Sequence, residues 1–577
     1  MESEYQLTPI KELLHYRNTR LNAYNHVINA YFISSKKETC TIYQCTRCNK
    51  FFTSFIGQEF HSCFGKDPRD VSQEARDCYM DFVCCCNISQ NAATGMYFQR
   101  LMTSIHADFI TPSKEKFNWM LKEYAMRIQA YTLDSLKGEV ISILIDGAKK
   151  CAKQFEGIII YSHEGLKFLT LANIPDQKSN TLAELMSTII CILARNGTRV
   201  VSICSDNAKN NQKALNQKEN SAQDLSGFFF IRQSCAVHSI NLAINDVFNT
   251  PLYVPLLNSL KAISKFAHGP NITIRWSSTY DVAKFVNDNY SNICKIATQS
   301  SPKSKKEKNE YNMVKVALQT VRTSIYPMQL SELVDVLRIM QRSILCLEDD
   351  HSSIVDIFIC IFNTLRELKS LPQHTFTIYM IKSLRDRAVN TLGMNLPLAA
   401  FLLTKEGLMA YRSIPTLIDC DITQDQVFQN AMYGIYKYLE EKGRFLGITD
   451  EMLSKEAMIY EGYLIDYLTN ADPNLISYQY WIDNTKYKDE NFANFSSLCR
   501  DLLTIPASEA AVERLFSHLQ AVYNHSNMKM HTETINYRLC VKMFNTFKNI
   551  SKPVKGLTER NFVSIMNCCD YWLQKSK

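Results

Sequence analysis

Glycine and proline are scarce, 17 and 15 among 577 residues, which suits a helix-rich chain. No apolar run approaches the roughly 20 residues needed to span a bilayer, so no membrane-spanning helix is expected. The opening "MESEYQLTPIKELLHY" contains no long apolar segment, and no signal peptide is visible in it. There is no repeating disulfide framework. The 20 cysteines are spread along the chain, several in apolar runs such as Cys191 in "TIICILA" and Cys360 in "FICIF". Buried reduced thiols are the natural reading of these, and a reducing compartment follows. Charge of one sign is not abundant either. The net charge of +7 permits an acidic partner such as nucleic acid without requiring one. What is plentiful is apolar and aromatic material: 46% hydrophobic residues, with 30 Phe and 29 Tyr. A chain this long exceeds one core, so several domains are expected.

Residues 1–95 form a Cys-rich head. In "CTRCNKFFTSFIGQEFHSC", Cys45 and Cys48 stand in Cys-x2-Cys spacing, with His61 and Cys63 following. That is the spacing of a small zinc site, although its His-x-Cys end is shorter than the usual second pair. The alternative is a buried-thiol segment without metal. A helical stretch broken at Pro112 comes next. Then "GEVISILIDGAKK", "FEGIIIYSH" and "GLKFLTLANI" read as three consecutive strands, the last two separated by a turn at His163 to Gly165. "TLAELMSTIICILARNG" reads as a helix ending at Gly197, "TRVVSICSDNAKNNQKAL" as a strand running into a helix, and "GFFFIRQS" with "CAVHSINLAINDVF" as a further strand and helix. This order describes a mixed sheet flanked by helices. Residues of about 250–495 are helical in pattern, and "SSPKSKKEKNEY" reads as a solvated basic loop. Near the end, Ile535, Leu539, Met543 and Phe547 make a stripe at four-residue steps. Such a stripe is core, and here also a candidate subunit contact.

Asp146 and Asp206 both end β-runs. If their strands are neighbours, the two carboxylates converge at one sheet edge and repel unless a cation lies between them. Hard oxygen ligands favour Mg²⁺ or Mn²⁺, and two such ions can activate a nucleophile and stabilise the leaving oxygen of a phosphodiester. A third acid on a nearby helix would complete the site. "TIPASEAAVERLFSHLQ" supplies Glu513 on an amphipathic helix, with Ser508 as the expected cap and Glu509 in the first turn. Taken alone, each Asp also reads as a cap or turn residue.

"IPASEAAVERLFS" resembles the C-terminal signature of hAT-superfamily DNA transposases, with Glu513, Arg514, Phe516 and Ser517 matching. "ILIDGAKK" resembles the family's first catalytic strand, where Asp-x-Trp is more usual than Asp146, Gly147 and Ala148, and "SICSDNAKNN" resembles the second. "CAVHSINLAINDV" is similar in Cys235, His238, Asn241 and Leu242. "IRWSSTYD" is similar in Arg275, Trp276, Ser278, Thr279 and Tyr280, and "YQYWIDN" in Trp481. The Cys/His head resembles a BED-type zinc finger. The resemblance implies a fold of α/β plus all-α class: a ribonuclease-H-like mixed sheet interrupted by a large helical insertion, behind a small N-terminal Cys/His-rich domain. The expected division is 1–95 as a zinc-finger DNA-binding domain, 96–135 as a helical linker or intertwining segment, and 136–250 as the first part of the core. Residues 251–495 are then the insertion, and 496–577 the end of the core with the dimerisation region.

The resemblance further implies a cut-and-paste reaction on element ends and a nuclear location. Asp146, Asp206 and Glu513 would hold two Mg²⁺ or Mn²⁺ ions, His238 would lie near the scissile phosphate, and Cys45, Cys48, His61 and Cys63 would hold Zn²⁺. Arg275 and Trp276 would meet DNA, the Trp stacking on a displaced base. The expected partners are DNA, both element ends and target, and a second copy of the chain through the C-terminal region. Cys235 and His238 read equally as a packed thiol and a locally bonded imidazole. Two other functions compete: a domesticated or decayed transposase-derived DNA-binding protein without catalysis, and a ribonuclease-like hydrolase acting on RNA.

Overall fold

The computed structural model describes residues 6–9, 28–34, 39–45, 51–52, 73–105, 112–215, 229–268, 276–299, 305–322, 326–414, 423–483, 489–523 and 530–548. The chain divides into two compact units, Met1–Tyr124 and Ala125–Lys577.

In the first unit, strands β1 (Gln6–Pro9), β2 (Ile28–Ser34), β3 (Thr39–Cys45) and β4 (Phe51–Phe52) form an antiparallel sheet in that order. Helices α1 (Gln73–Cys85), α2 (Gln90–Ala93) and α3 (Met96–Ile105) come next, and α4 (Lys114–Ser135) begins here. Tyr79 is buried and donates to the Ala93 carbonyl at 3.0 Å, with Phe98 and Phe117 against its ring. Cys45 is the last residue of β3. Cys48, His61 and Cys63 lie outside the described residues, as does the side chain of Cys45.

The second unit holds a five-stranded sheet in the order β7-β6-β5-β8-β9. Strands β5 (Val140–Lys150), β6 (Lys153–Ser162) and β7 (Gly165–Ile174) form an antiparallel meander. After α5 (Ser179–Arg195), β8 (Arg199–Ser205) returns parallel to β5. After α6 (Lys209–Ala214), β9 (Ile231–Ser234) runs parallel to β8. β5 is central, and Val140 to Ile145 are buried without interruption, as a strand covered on both faces requires. On one face Ile141, Ile143 and Ile145 pack with Ile158, Ile160 and Ile203 against Met186, Ile189 and Leu193 of α5. The opposite face carries Ser142, Leu144 and Asp146 by strand alternation.

The helical series continues with α7 (Ala236–Phe248), α8 (Val254–His268), α9 (Trp276–Gln299), α10 (Lys305–Arg322), α11 (Tyr326–Leu347) and α12 (Ile354–Ser370). It runs on through α13 (Thr375–Arg387), a π-helical turn (Ala388–Leu392), α14 (Asn395–Leu402), α15 (Lys405–Ser413), α16 (Gln424–Leu446) and α17 (Asp450–Asn470). The last helices are α18 (Tyr478–Asp483), α19 (Glu490–Leu503), α20 (Ala510–Val522) and α21 (Thr532–Lys548). The fold is therefore mixed α/β, mostly helical, around a small mixed sheet. The basic stretch expected as a loop is helical from Lys305. The reason lies downstream, where Val314, Ala317 and Leu318 of α10 are buried at helical spacing.

Two connections lock the sheet and the helical series into one unit. Arg199 of β8 makes a two-pronged contact with the buried carboxylate of Asp501 in α19, which also accepts from Tyr438 of α16 at 3.0 Å. In addition, Ser353 and Pro506 form an antiparallel bridge. Ile354 N donates to Ile505 O at 2.8 Å, and Ala507 N to Ser352 O at 3.0 Å.

The stripe on α21 is core. Ile535 and Leu539 are fully buried and Met543 is 1% exposed, with the helix lying against β7. Asn536 accepts from the backbone N–H of Leu171 at 3.0 Å, so α21 covers the sheet's β7 edge. The candidate subunit contact is thus corrected to an internal one at Ile535, Leu539 and Met543, while Phe547 at the end of the stripe is half-buried. Cys360 is a buried free thiol, whereas Cys191 is only half-buried.

Candidate functional site

The register between β5 and β8 pairs Leu144 with Cys204, so Asp146 and Asp206 stand two residues further on along adjacent parallel strands. Both strands run buried to this point and then reach half-buried acids. A buried chain of hydroxyls fixes the pair of strands from the same face. Ser202 donates to Ser142 at 2.7 Å, and Ser142 donates to the Thr504 carbonyl at 2.8 Å.

Asp146 accepts from the Gly147 N–H at 2.7 Å. Burial, with Asp206 and Glu513 nearby, raises its carboxyl to about 7 despite that hydrogen bond. Oδ1 of Asp206 accepts from Ala208 N at 3.0 Å and from Asn211 Nδ2 at 2.7 Å, so it also serves the turn into α6.

Glycine decides how α20 reaches the sheet. Asp146 pairs in register with Gly157 of β6. A Cβ built on Gly157 would stand 2.7 Å from Val512 Cγ1 and 2.8 Å from Leu515 Cδ2. The helix therefore packs directly on the strand beside Asp146, and Glu513 comes with it. Arg514 anchors the same helix to the turn after α11 through the Glu348 carbonyl at 2.8 Å and the Asp350 carboxylate.

The two glutamates of this segment differ from their expected places. Glu513 is exposed in the first turn of α20. Glu509 is not in the first turn. It precedes the helix as its N-cap position, with no side-chain cap, and is 2% exposed. Ser508, the expected cap, stands one residue before the N-cap position; its hydroxyl donates to the Leu347 carbonyl at 2.7 Å and accepts from the Ala510 N–H at 3.4 Å. The physical reason is the backbone around Ala507. Its N–H is taken by Ser352 and its carbonyl accepts from Ala236 N at 3.0 Å, which draws the loop inward before the helix starts. Glu509 Oε2 has no hydrogen-bond partner among the described residues. Burial above all, then the charge of Asp146, drives the Glu509 carboxyl well up, while a contact with the Cys235 thiol opposes this.

Sequence reasoning passed over a further acid, Glu156, which lies on the α5 side of β6. It is buried and accepts from Gln177 Nε2 at 3.1 Å; burial raises its carboxyl to about 7. Its signal was a lone acid inside "FEGIII". Gly147, which stands within the unusual Asp-Gly-Ala, faces it. A Cβ there would lie 2.0 Å from Gln177 Nε2 and 2.4 Å from Glu156 Oε1.

His238 is half-buried in the first turn of α7, where its N–H donates to Cys235 Sγ at 3.4 Å and Cys235 caps the helix. The local-bond reading holds for the backbone of this pair. Arg275 lies outside the described residues. Trp276 opens α9, and its side chain is likewise outside them. The side chains of Asp146, Asp206, Glu509 and Glu513 share one region. Among the described residues, however, no three His, Cys, Asp or Glu side chains stand close enough together to hold a metal ion.

Residues 471–543 match the hAT family C-terminal dimerisation region. The chain carries a hAT dimerisation region. This supports a hAT-family transposase, and it supports self-association. The hAT region runs from the end of α17 through α18, α19 and α20 into α21, so it contains Glu509, Glu513 and the buried Ile535, Leu539 and Met543 of the stripe. Its Trp481 is 1% exposed, donates to the Leu403 carbonyl at 3.4 Å and packs edge-on against Phe495. No curated protein matches the chain. No helix among the described residues is long and apolar enough to cross a membrane.

Proposed function

We propose that this chain is a hAT-type DNA transposase that cuts DNA at element ends and joins them to target DNA. The observation that carries the reading is the placing of Asp146 and Asp206 two residues beyond the last registered pair of the parallel β5–β8 ladder, Leu144 with Cys204, with α20 packed on the strand beside Asp146 through Gly157. The strand order, an antiparallel meander followed by two parallel strands, supports a ribonuclease-H-like core.

The donor set fits Mg²⁺ or Mn²⁺. It consists of hard carboxylate oxygens, and Asp146 is already held to about 7 by burial and like charge, a cost that a cation offsets. Asp146, Asp206 and Glu513 would hold the ions, which supply charge neutralisation at the phosphate and activation of a water or 3′-hydroxyl. The protein's own groups do the rest. Gly147 N–H holds one oxygen of Asp146 in place, the Ser202–Ser142–Thr504 chain fixes the strand ends, and Arg514 fixes the helix. His238, Arg275 and Trp276 are assigned to the DNA near the cut, and the N-terminal Cys45, Cys48, His61 and Cys63 to Zn²⁺. The nucleus is the compartment proposed with this activity.

One observation favours a second reading, a transposase-derived DNA-binding protein without catalysis: the acids share a region but are not gathered into a ligand sphere. Incubation of the purified chain with its own element ends in Mg²⁺ or Mn²⁺ separates the two. Cleavage lost in Asp146→Asn and Asp206→Asn supports the transposase. Intact ends bound without cleavage in both metals support the second reading.

A further inference from the structure

A cleft of about 860 Å³ opens among α12, α13, the π-helical turn, α14 and α16, within the helical insertion and built without the strand-end acids. Four cationic side chains line it, Lys369, Lys382, Arg385 and Lys437, against the single carboxylate of Asp386. Lys369 and Lys382 are exposed and have no ion pair among the described residues, while Lys437 lies 2.8 Å from Glu440. Beside the cations stands an aromatic face. Tyr433 is 50% exposed, and Lys437 Nζ is 5.6 Å from its ring centroid. Ile378 and Val389, about half exposed, add apolar floor.

The backbone shapes this concavity. The five-residue π turn at Ala388–Leu392 interrupts the α13 ladder and ends at Gly393, whose φ of 58° is left-handed. Such turns recur at functional sites because they re-aim side chains and widen the helix. On the other wall, Gly434 lets α16 approach. A Cβ there would stand 2.5 Å from Asn395 O and 2.8 Å from Leu396 N. Tyr433 and Lys437, one turn apart on α16, are thereby brought to the rim as a pair.

Lysines spaced around a cleft with an open aromatic ring suit one chemistry above others. Phosphates meet the cations, and a base stacks on the ring. An acidic peptide would use the cations and leave Tyr433 and the apolar floor without purpose. The volume is that of a small-ligand site and accommodates a nucleotide unit.

We propose that this cleft binds a nucleotide unit, with its phosphates on Lys369 and Lys382 and its base against Tyr433. The unit comes from a DNA single strand or from a free nucleotide, and the same experiment resolves the source.

The full chain is titrated with a fluorescein-labelled six-residue thymidine oligonucleotide, and separately with ATP, across a salt series. The variants are Lys369→Glu with Lys382→Glu, and Tyr433→Leu, each checked for a wild-type melting temperature. All three positions are exposed, so the fold is expected to survive. For a strand, Tyr433→Leu weakens oligonucleotide binding about ten-fold, the scale of removing one base stack. The double charge reversal lowers the slope of log K against log salt by roughly 1.4, about 0.7 for each single-strand phosphate that is no longer neutralised. If ATP binding falls in both variants while the oligonucleotide is unaffected, the site stands and the source is a free nucleotide. Two results overturn it: neither probe responding to either variant, or polyglutamate competing as well as the oligonucleotide with Tyr433→Leu silent.

Discussion

Asp146 and Gly157 face each other across the β5–β6 ladder, and the missing side chain of Gly157 is what lets Val512 and Leu515 of α20 rest on the strand. An acid and the helix that bears a second acid are thus brought together by an absence. Gly157→Ala must displace side chains that have little room to give. The expected cost is ~1–3 kcal/mol of stability, as for an overpacked core. Thermal unfolding measures it, and cleavage should fall further than stability alone accounts for. A variant with unchanged melting and full cleavage would show that α20 does not need this contact.

The two glutamates of the hAT region should separate cleanly. Glu513 is exposed, so Glu513→Gln leaves the melting temperature nearly unchanged and abolishes cleavage. Glu509 is buried with one unpartnered oxygen among the described residues, so Glu509→Gln removes the cost of burying an ionisable carboxyl beside other acids and raises the melting temperature at pH 8. Cleavage that survives Glu513→Gln and is lost in Glu509→Gln would move the third ligand to Glu509.

Charged substitutions on α21 test the stripe. Leu539→Asp places a carboxylate in a fully buried position and is expected to unfold the second unit, at a cost of several kcal/mol. Circular dichroism reads the outcome. A folded monomer would return the stripe to the role of a subunit contact.

Acid titration supplies a test that needs no DNA. Asp146 and Glu156 both carry folded-state pKa values of about 7, above those of the unfolded chain. A carboxyl raised on folding favours the folded state while it is protonated in both states. That contribution is lost as pH rises from the unfolded value through the folded one. Without divalent cations the melting temperature should therefore fall between about pH 4 and pH 7 and level off above. Glu156→Gln should flatten part of the slope. Mn²⁺ should raise the melting temperature at pH 8 more than at pH 5, since the cation competes with protons for Asp146. An equal effect at both pH values would remove Asp146 from the cation site.

The Arg199–Asp501 contact ties the sheet to the C-terminal helices through a carboxylate that is only 3% exposed in its side chain. Arg199→Ala leaves that carboxylate without its cation and, because the Arg199 side chain is itself 45% exposed, should cost ~1.5–3 kcal/mol. Chemical denaturation checks this, and a loss below about 1 kcal/mol would mean that Tyr438 alone satisfies Asp501.

The strands of the second unit were legible because the runs around Ile143, Ile159 and Ile203 are long, β-branched and bounded by turn residues, whereas the short strands β1 to β4 of the first unit were not read from the Cys-rich head. The two Asp were legible for the same reason, since each ends a buried run. What was not legible lies in places set by distant contacts. Spacing put Glu509 and Glu513 on one helical face, but Ser352 and Ala236 capture the backbone at Ala507 and start the helix later. The α21 stripe had the right period for either core or partner, and only its contact with β7 distinguishes them. Glu156 looked like an ordinary acid in a strand until Gly147 left room for Gln177 to reach it.

The bridge between Ser353 and Pro506 joins the first residues of α12 to the residues just before Glu509. The helical insertion is therefore not a passenger hung on one flexible tether. It grips the chain at the far end of its own excursion, one turn away from the acid-bearing helix. The residues that open α12 and the ribbon that leads into α20 are held by the same backbone hydrogen bonds, so the place of one cannot be altered without breaking the seat of the other.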